Sequence, residues 1–138
     1  MGRKTNPINP PISPDEINAL ITQTSETRYI YTLKRIADSE YLWTIVKDDK
    51  SFFVQNNGID FFIPIWSARE YAILFCNTLG IEYRIVSISL DEFAENVIDI
   101  ICAQQYLINV FPTIKDCGKI VSVQIFAEDL SKFLNDYY

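Results

Sequence analysis

The chain has 138 residues, 49% of them hydrophobic, and a formal charge of −6 from 12 basic and 18 acidic side chains. This length fits one domain that buries about two-thirds of the surface its unfolded form exposes. The complete lack of histidine excludes Ser–His and Cys–His nucleophilic sites and removes the commonest transition-metal ligand, and the acidic balance argues against a protein that tracks nucleic-acid phosphates.

Residues 1–13 carry Pro7, Pro10 and Pro11 among small and polar residues, a composition that predicts a disordered tail. Residues 14–138 are expected to form a single domain. Ser13-Pro14-Asp15-Glu16 opens a first helix, with Ser as cap, Pro at the first position and Glu at the third. A second helix is predicted from Thr24 or Ser25 to about Asp38. Strands follow at Tyr41–Val46 and Phe52–Gln55. Asn56-Asn57-Gly58 then marks a tight turn, because Asn and Gly tolerate positive φ.

The third strand, Phe61–Trp66, is aromatic and β-branched and runs directly into a helix. Ser67 and Glu70 have the spacing of a capping box, and Gly80 supplies the stop. Strands one to three are expected to form an antiparallel meander. A fourth strand spans Glu82–Ile88. The helix after it is capped by Ser89 and carries Leu90, Phe93, Ala94, Val97, Ile98 and Ile101 inward. Strands at Tyr106–Phe111 and Lys119–Val123 and a last helix bearing Phe126, Leu130, Phe133, Leu134 and Tyr137 complete the chain. The pattern predicts an α+β fold: a mainly antiparallel six-stranded sheet with about five helices.

Arg28-Tyr29, Lys34 and Asp38 in one helix, Trp43 in a strand and Pro64-Ile65-Trp66 entering a helix with Tyr71-Ala72 form an ordered series. It continues through Asp91, Phe93, Val110-Phe111-Pro112-Thr113, Gly118 and Leu130. In this order and spacing the chain resembles a bacterial family of uncharacterised proteins, domain of unknown function 2750, over about residues 25–138. The chain has Ser67 after Trp66 and Ile114 after Thr113, where that family usually has proline. The resemblance supports the fold and implies no activity.

No apolar run reaches the roughly 18 residues of a membrane helix, and no signal-peptide core is present. A cytoplasmic protein without membrane or nucleic-acid partners is expected. Cys76, Cys102 and Cys117 do not have the spacing of a disulfide framework, and Cys76 falls on a core face. No Gly-rich phosphate loop, metal site, cofactor or catalytic residue is expected.

Two sets of residues are candidates for binding. Trp43, Trp66, Phe111 and Pro112 at strands or strand ends, with Arg28 from the second helix, could line an aromatic pocket for a small ligand. Arg28, Lys34 and Arg35 also make a basic strip. Asp91, Glu95 and Asp99 lie on one helix, and from Ser89 onward there are eight acids against three lysines. This acidic surface suits a basic protein partner. The expected function is therefore a non-catalytic protein-binding module, such as an immunity-type inhibitor of a basic toxin, with ligand binding or catalysis near Trp66 as the alternative.

Overall fold

The computed structural model describes residues 12–47, 51–80 and 82–135. The first helix, α1 (Pro14–Ile21), begins where the Ser13 hydroxyl accepts the Glu16 N–H at 3.1 Å. Ile12, assigned to the tail by composition, is instead buried, and its amide donates to the Glu70 carboxylate at 3.2 Å. The rest of the predicted tail, residues 1–11, lies outside the described residues. Helix α2 (Ser25–Ser39) is capped by Thr24 and ends at Glu40, whose φ of 65° reverses the chain into β1 (Tyr41–Val46).

A short strand β2 (Gln55–Asn56) turns through Gly58, at φ 91°, into β3 (Phe61–Ile65). The Asn57 side chain accepts the Ile59 and Asp60 amides, so this turn forms as its sequence predicts. Helix α3 (Arg69–Leu79) stops at Gly80, φ 68°, whose amide returns to Cys76. Strand β4 (Arg84–Ser89) leads into α4, in which Leu90–Glu92, Phe93–Val97 and Ile98–Gln104 run on without a break, the middle five residues wound as a π-helix. Strands β5 (Leu107–Val110) and β6 (Lys119–Val121) and helix α5 (Val123–Asn135) follow.

The fold is α+β in one domain, but the strands do not form one six-stranded sheet. β1 pairs antiparallel with β4 alone, and the other four are ordered β2-β3-β5-β6, with β3 and β5 parallel. The reason is Pro64. β1 and β3 meet at Trp43 and Trp66, which exchange two backbone hydrogen bonds of 2.9 Å. Two residues earlier the next ladder position on β3 is Pro64, which has no N–H to give. Its carbonyl accepts the Thr44 hydroxyl instead, at 2.7 Å. The ladder stops there and the sheet divides. The predicted meander fails for the same reason: Phe52 touches β1 through a single bridge to Val46, and only Gln55 and Asn56 reach β3.

Two local expectations also change. Ser67 does not cap α3. Ala68 holds the cap position without a side-chain bond, Ser67 Oγ is buried with no partner, and Glu70 is turned toward Ile12. In α4, Phe93, Val97 and Ile101 are buried while Ala94 is exposed. The wider π turn brings residues four apart into line and rotates Ala94 outward.

Trp66 sits at the centre of the core, fully buried, with its ring 5.2 Å from that of Phe75 and its Nε1–H donating to the Pro112 carbonyl at 3.1 Å. Trp66→Ala is expected to cost about 3–5 kcal/mol, a large share of the roughly 5–15 kcal/mol of a typical domain. Urea unfolding should show this as a clear fall in midpoint; coincident midpoints would remove Trp66 from the core.

Candidate functional site: an apolar cleft at the ends of the parallel strands

Parallel strands in one sheet end on the same side, and in open α/β sheets ligands gather there. β3 leaves the sheet at Trp66 and β5 at Phe111, where the Phe111 amide donates to the Ile65 carbonyl at 2.9 Å. β3 continues into α3. β5 continues into the loop of residues 111–118. Between them opens a cleft of about 170 Å³, which Ile21 and Thr22 also line. Tyr71, Leu74, Phe75 and Thr78 of α3 form one wall and Phe111–Lys115 the other. A second, shallower depression of about 360 Å³ adjoins it across Phe75, Pro112 and Ile114 and runs toward Asn109 and Cys117.

Phe111 sets the shape of the loop. Its φ is 56°, a conformation uncommon for a bulky residue, and strain of this kind costs about 1–3 kcal/mol unless its surroundings fix it. Here they do. Its ring lies 4.5 Å from that of Tyr71 and 6.4 Å from that of Tyr31. Its carbonyl accepts Arg28 Nε–H at 3.0 Å. The same guanidinium, fully buried, donates to the Cys117 carbonyl at 3.2 Å, the Asp116 carboxylate at 3.4 Å and the Gln23 carbonyl. The loop closes where Gly118 packs on β5: a methyl group there would overlap the Val110 carbonyl oxygen.

The candidate pocket residues therefore fall in tiers. Phe111 and Pro112 line the cleft. Trp66 and Arg28 lie behind it, each bonded to the backbone of a lining residue. Trp43 is one strand further away, paired with Trp66. Arg28, Lys34 and Arg35 do not form a common anion clamp. Arg28 is turned into the loop, Lys34 Nζ lies 6.0 Å from the Phe133 ring, and Arg35 faces Glu16 at 3.8 Å and the Tyr31 ring. Asp91, Glu95 and Asp99 are all exposed on α4 and none lines the cleft. Asp129, one of the eight acids from Ser89 onward, accepts the Tyr29 hydroxyl at 2.6 Å. Cys102 and Cys117 are exposed, and Cys76 is buried, which pushes its thiol pKa up.

A hydrogen-bonded chain braces the cleft wall. Tyr31 O–H donates to Glu16 at 2.7 Å, and the Tyr31 and Tyr71 oxygens are 2.9 Å apart. Each phenol has one proton. With the Tyr31 proton on Glu16, Tyr71 must donate to Tyr31. Burial, then the neighbouring hydroxyl and the Glu16 carboxylate, raise the Tyr31 pKa far above its usual value of about 10, and burial raises that of Tyr71. Tyr29 is raised by burial and by Asp129.

α3, β3, β5 and the loop of residues 111–118 define a small α+β domain with an apolar cleft at the ends of its parallel strands. The chain belongs to the family described as protein of unknown function (DUF2750), whose pattern matches residues 29–130. No curated protein and no solved structure matches it. No helix among the described residues is long and apolar enough to cross a membrane.

Two outcomes follow from this geometry. Arg28→Lys supplies a charge but no planar fork, and leaves the carbonyls of Gln23, Phe111 and Cys117 short of donors. It should cost about 3 kcal/mol or more, read as a lowered urea midpoint; an unchanged midpoint would show that the loop holds itself. The tyrosines predict the alkaline limb of stability. Their folded pKa values lie above the unfolded value of about 10, so their contribution is complete below pH 10. Above it the unfolded state sheds protons first, and stability falls by about 1.4 kcal/mol per pH unit for each such tyrosine. Tyr31→Phe should flatten that limb in stability measurements between pH 9 and 11; an alkaline limb as steep as that of the unsubstituted chain would remove Tyr31 from this account.

Proposed function

We propose that this chain is a non-catalytic protein-binding module whose cleft receives one apolar side chain of its partner. The observation that carries this reading is size. Small-molecule sites usually enclose about 300–1,000 Å³, whereas a cavity of about 150 Å³ accepts a single benzene ring. The cleft, at about 170 Å³, suits one leucine, phenylalanine or similar anchor. Interfaces concentrate their binding energy in such anchors. The exposed side chains of Leu74, Leu79 and Ile114 give the surrounding surface the apolar character of an interface core, and the adjoining depression suits the residues next to the anchor.

The charge supports a basic partner. Asp91, Glu95 and Asp99 are exposed on a chain of net charge −6, which would speed encounter with a cationic surface. An immunity-type inhibitor of a basic toxin in a bacterial cytoplasm is the sharpest form of this reading.

A displayed peptide library selected on the full chain tests it. Selection should converge on one large apolar residue flanked by lysine or arginine. Leu74→Glu with Ile114→Glu, both at exposed positions, should weaken the selected peptides about tenfold or more, in line with the loss of an anchor contact. If no peptide is enriched and a planar metabolite raises the melting temperature instead, the site is a ligand pocket and the protein-binding reading fails.

A further inference from the structure

The outer edge of β4 points to a second interface, one this chain would make with a copy of itself. The direction of its backbone groups follows from β1. Trp43 bonds to Trp66 and the Ile45 carbonyl accepts the Phe53 amide, so both residues turn their backbone groups away from β4. Leu42, Thr44 and Val46 therefore face β4, where their partners are Ile88, Val86 and Arg84. In an antiparallel ladder the alternate residues point the other way. The N–H and C=O groups of Ile85 and Ser87 thus face outward, and among the described residues none of the four has a hydrogen-bond partner.

Proteins usually blunt such an edge with proline, lysine, a bulge or a very short strand. Arg84–Ser89 has six residues, with no proline, lysine or bulge. It belongs to a sheet of only two strands. We propose that two copies pair antiparallel through β4 about a two-fold axis at Val86, joining their two-stranded sheets into one of four strands. In that register Ile85 of each copy faces Ser87 of the other, and each pair exchanges two backbone hydrogen bonds. All four outward groups of each copy are then used.

Charge favours a second copy over an unrelated strand. Arg84 is exposed at the start of β4 and makes no ion pair among the described residues, while Asp91 and Glu92 are exposed just beyond its end. Antiparallel pairing sets the arginine of each copy near the acidic turn of the other, twice per dimer, as a self-complementary interface requires. One strand edge is smaller than a standard interface, so the dimer should be weak, with a dissociation constant of about 10–1,000 µM.

The test is sedimentation of the full chain from about 5 to about 500 µM, with amide hydrogen exchange at both limits. Dimer should form with rising concentration, and the Ile85 and Ser87 amides should then exchange at least about tenfold more slowly. Arg84→Glu and Asp91→Lys, both at exposed positions, should each raise the dissociation constant about tenfold, and the double variant should restore it. A chain that stays monomeric throughout overturns the proposal. So do Ile85 and Ser87 amides protected equally at every concentration, which would mean the edge is covered within one chain, and so does a dimer indifferent to both charge changes.

Discussion

A guanidinium taken fully out of water is tolerated only where its donors are met, since the desolvation cost is several kcal/mol. Arg28 meets this demand mainly with neutral groups. Its acceptors are the carbonyls of Gln23, Phe111 and Cys117, and its one countercharge among the described residues, Asp116, is itself more than half exposed. The charge is therefore held mostly by backbone dipoles from three separate segments. That arrangement works only if the start of α2, the end of β5 and the far side of the loop of residues 111–118 stay together. Arg28 thus acts less as an ion-pair partner than as a clasp, and the left-handed backbone of Phe111 can persist because the clasp, the Ile65 carbonyl and two aromatic rings fix it together. Pro112 follows, held in turn by the Trp66 indole. The cleft wall is the outer surface of this buried assembly.

Pro64 acts at the same level. Without an N–H it cannot continue the β1–β3 ladder, so β3 keeps its regular pairing for β5. The parallel β3–β5 pair is what brings Trp66 and Phe111 to one end of the sheet. A residue that removes one hydrogen bond therefore divides the strands into two sheets.

What could be read from the sequence was what neighbouring residues decide. The caps at Ser13 and Ser89, the Asn57-Gly58 turn and the stop at Gly80 each depend on a few adjacent positions, and each forms as expected. Ser67 and Glu70 have the same local pattern as those caps, yet the buried Ile12 amide claims Glu70 from a distant part of the chain. Pro64 was visible, but its effect depends on which strand lies beside it. The cleft was half legible. Phe111 and Pro112 drew notice as an aromatic and a proline at a strand end, whereas Tyr71, Leu74, Phe75 and Thr78 share the helical periodicity of any core face. Periodicity does not distinguish a side chain that meets the core from one that meets a groove. Arg28 reads from the sequence as a pocket or basic-strip cation, because nothing in its helix shows that three carbonyls converge on it.

The polar groups around the cleft bear on what it can recognise. The proton order running from Tyr71 through Tyr31 to Glu16 commits each phenol to a partner inside the protein. The Trp66 indole is committed to Pro112, and the guanidinium behind Phe111 to the loop. An occupant therefore need not supply a matching hydrogen bond to any of these groups, and one that offered a polar group would lose its contact with water for little return. If the cleft receives a partner's side chain as proposed, selection there would rest on shape and apolar area, terms that distinguish one hydrophobic side chain from another by only about 1–3 kcal/mol per methylene. Under the proposed protein-binding reading, finer discrimination would come from charges outside the cleft, where the exposed carboxylates of α4 would act on the approach of a partner rather than on the fit of its anchor.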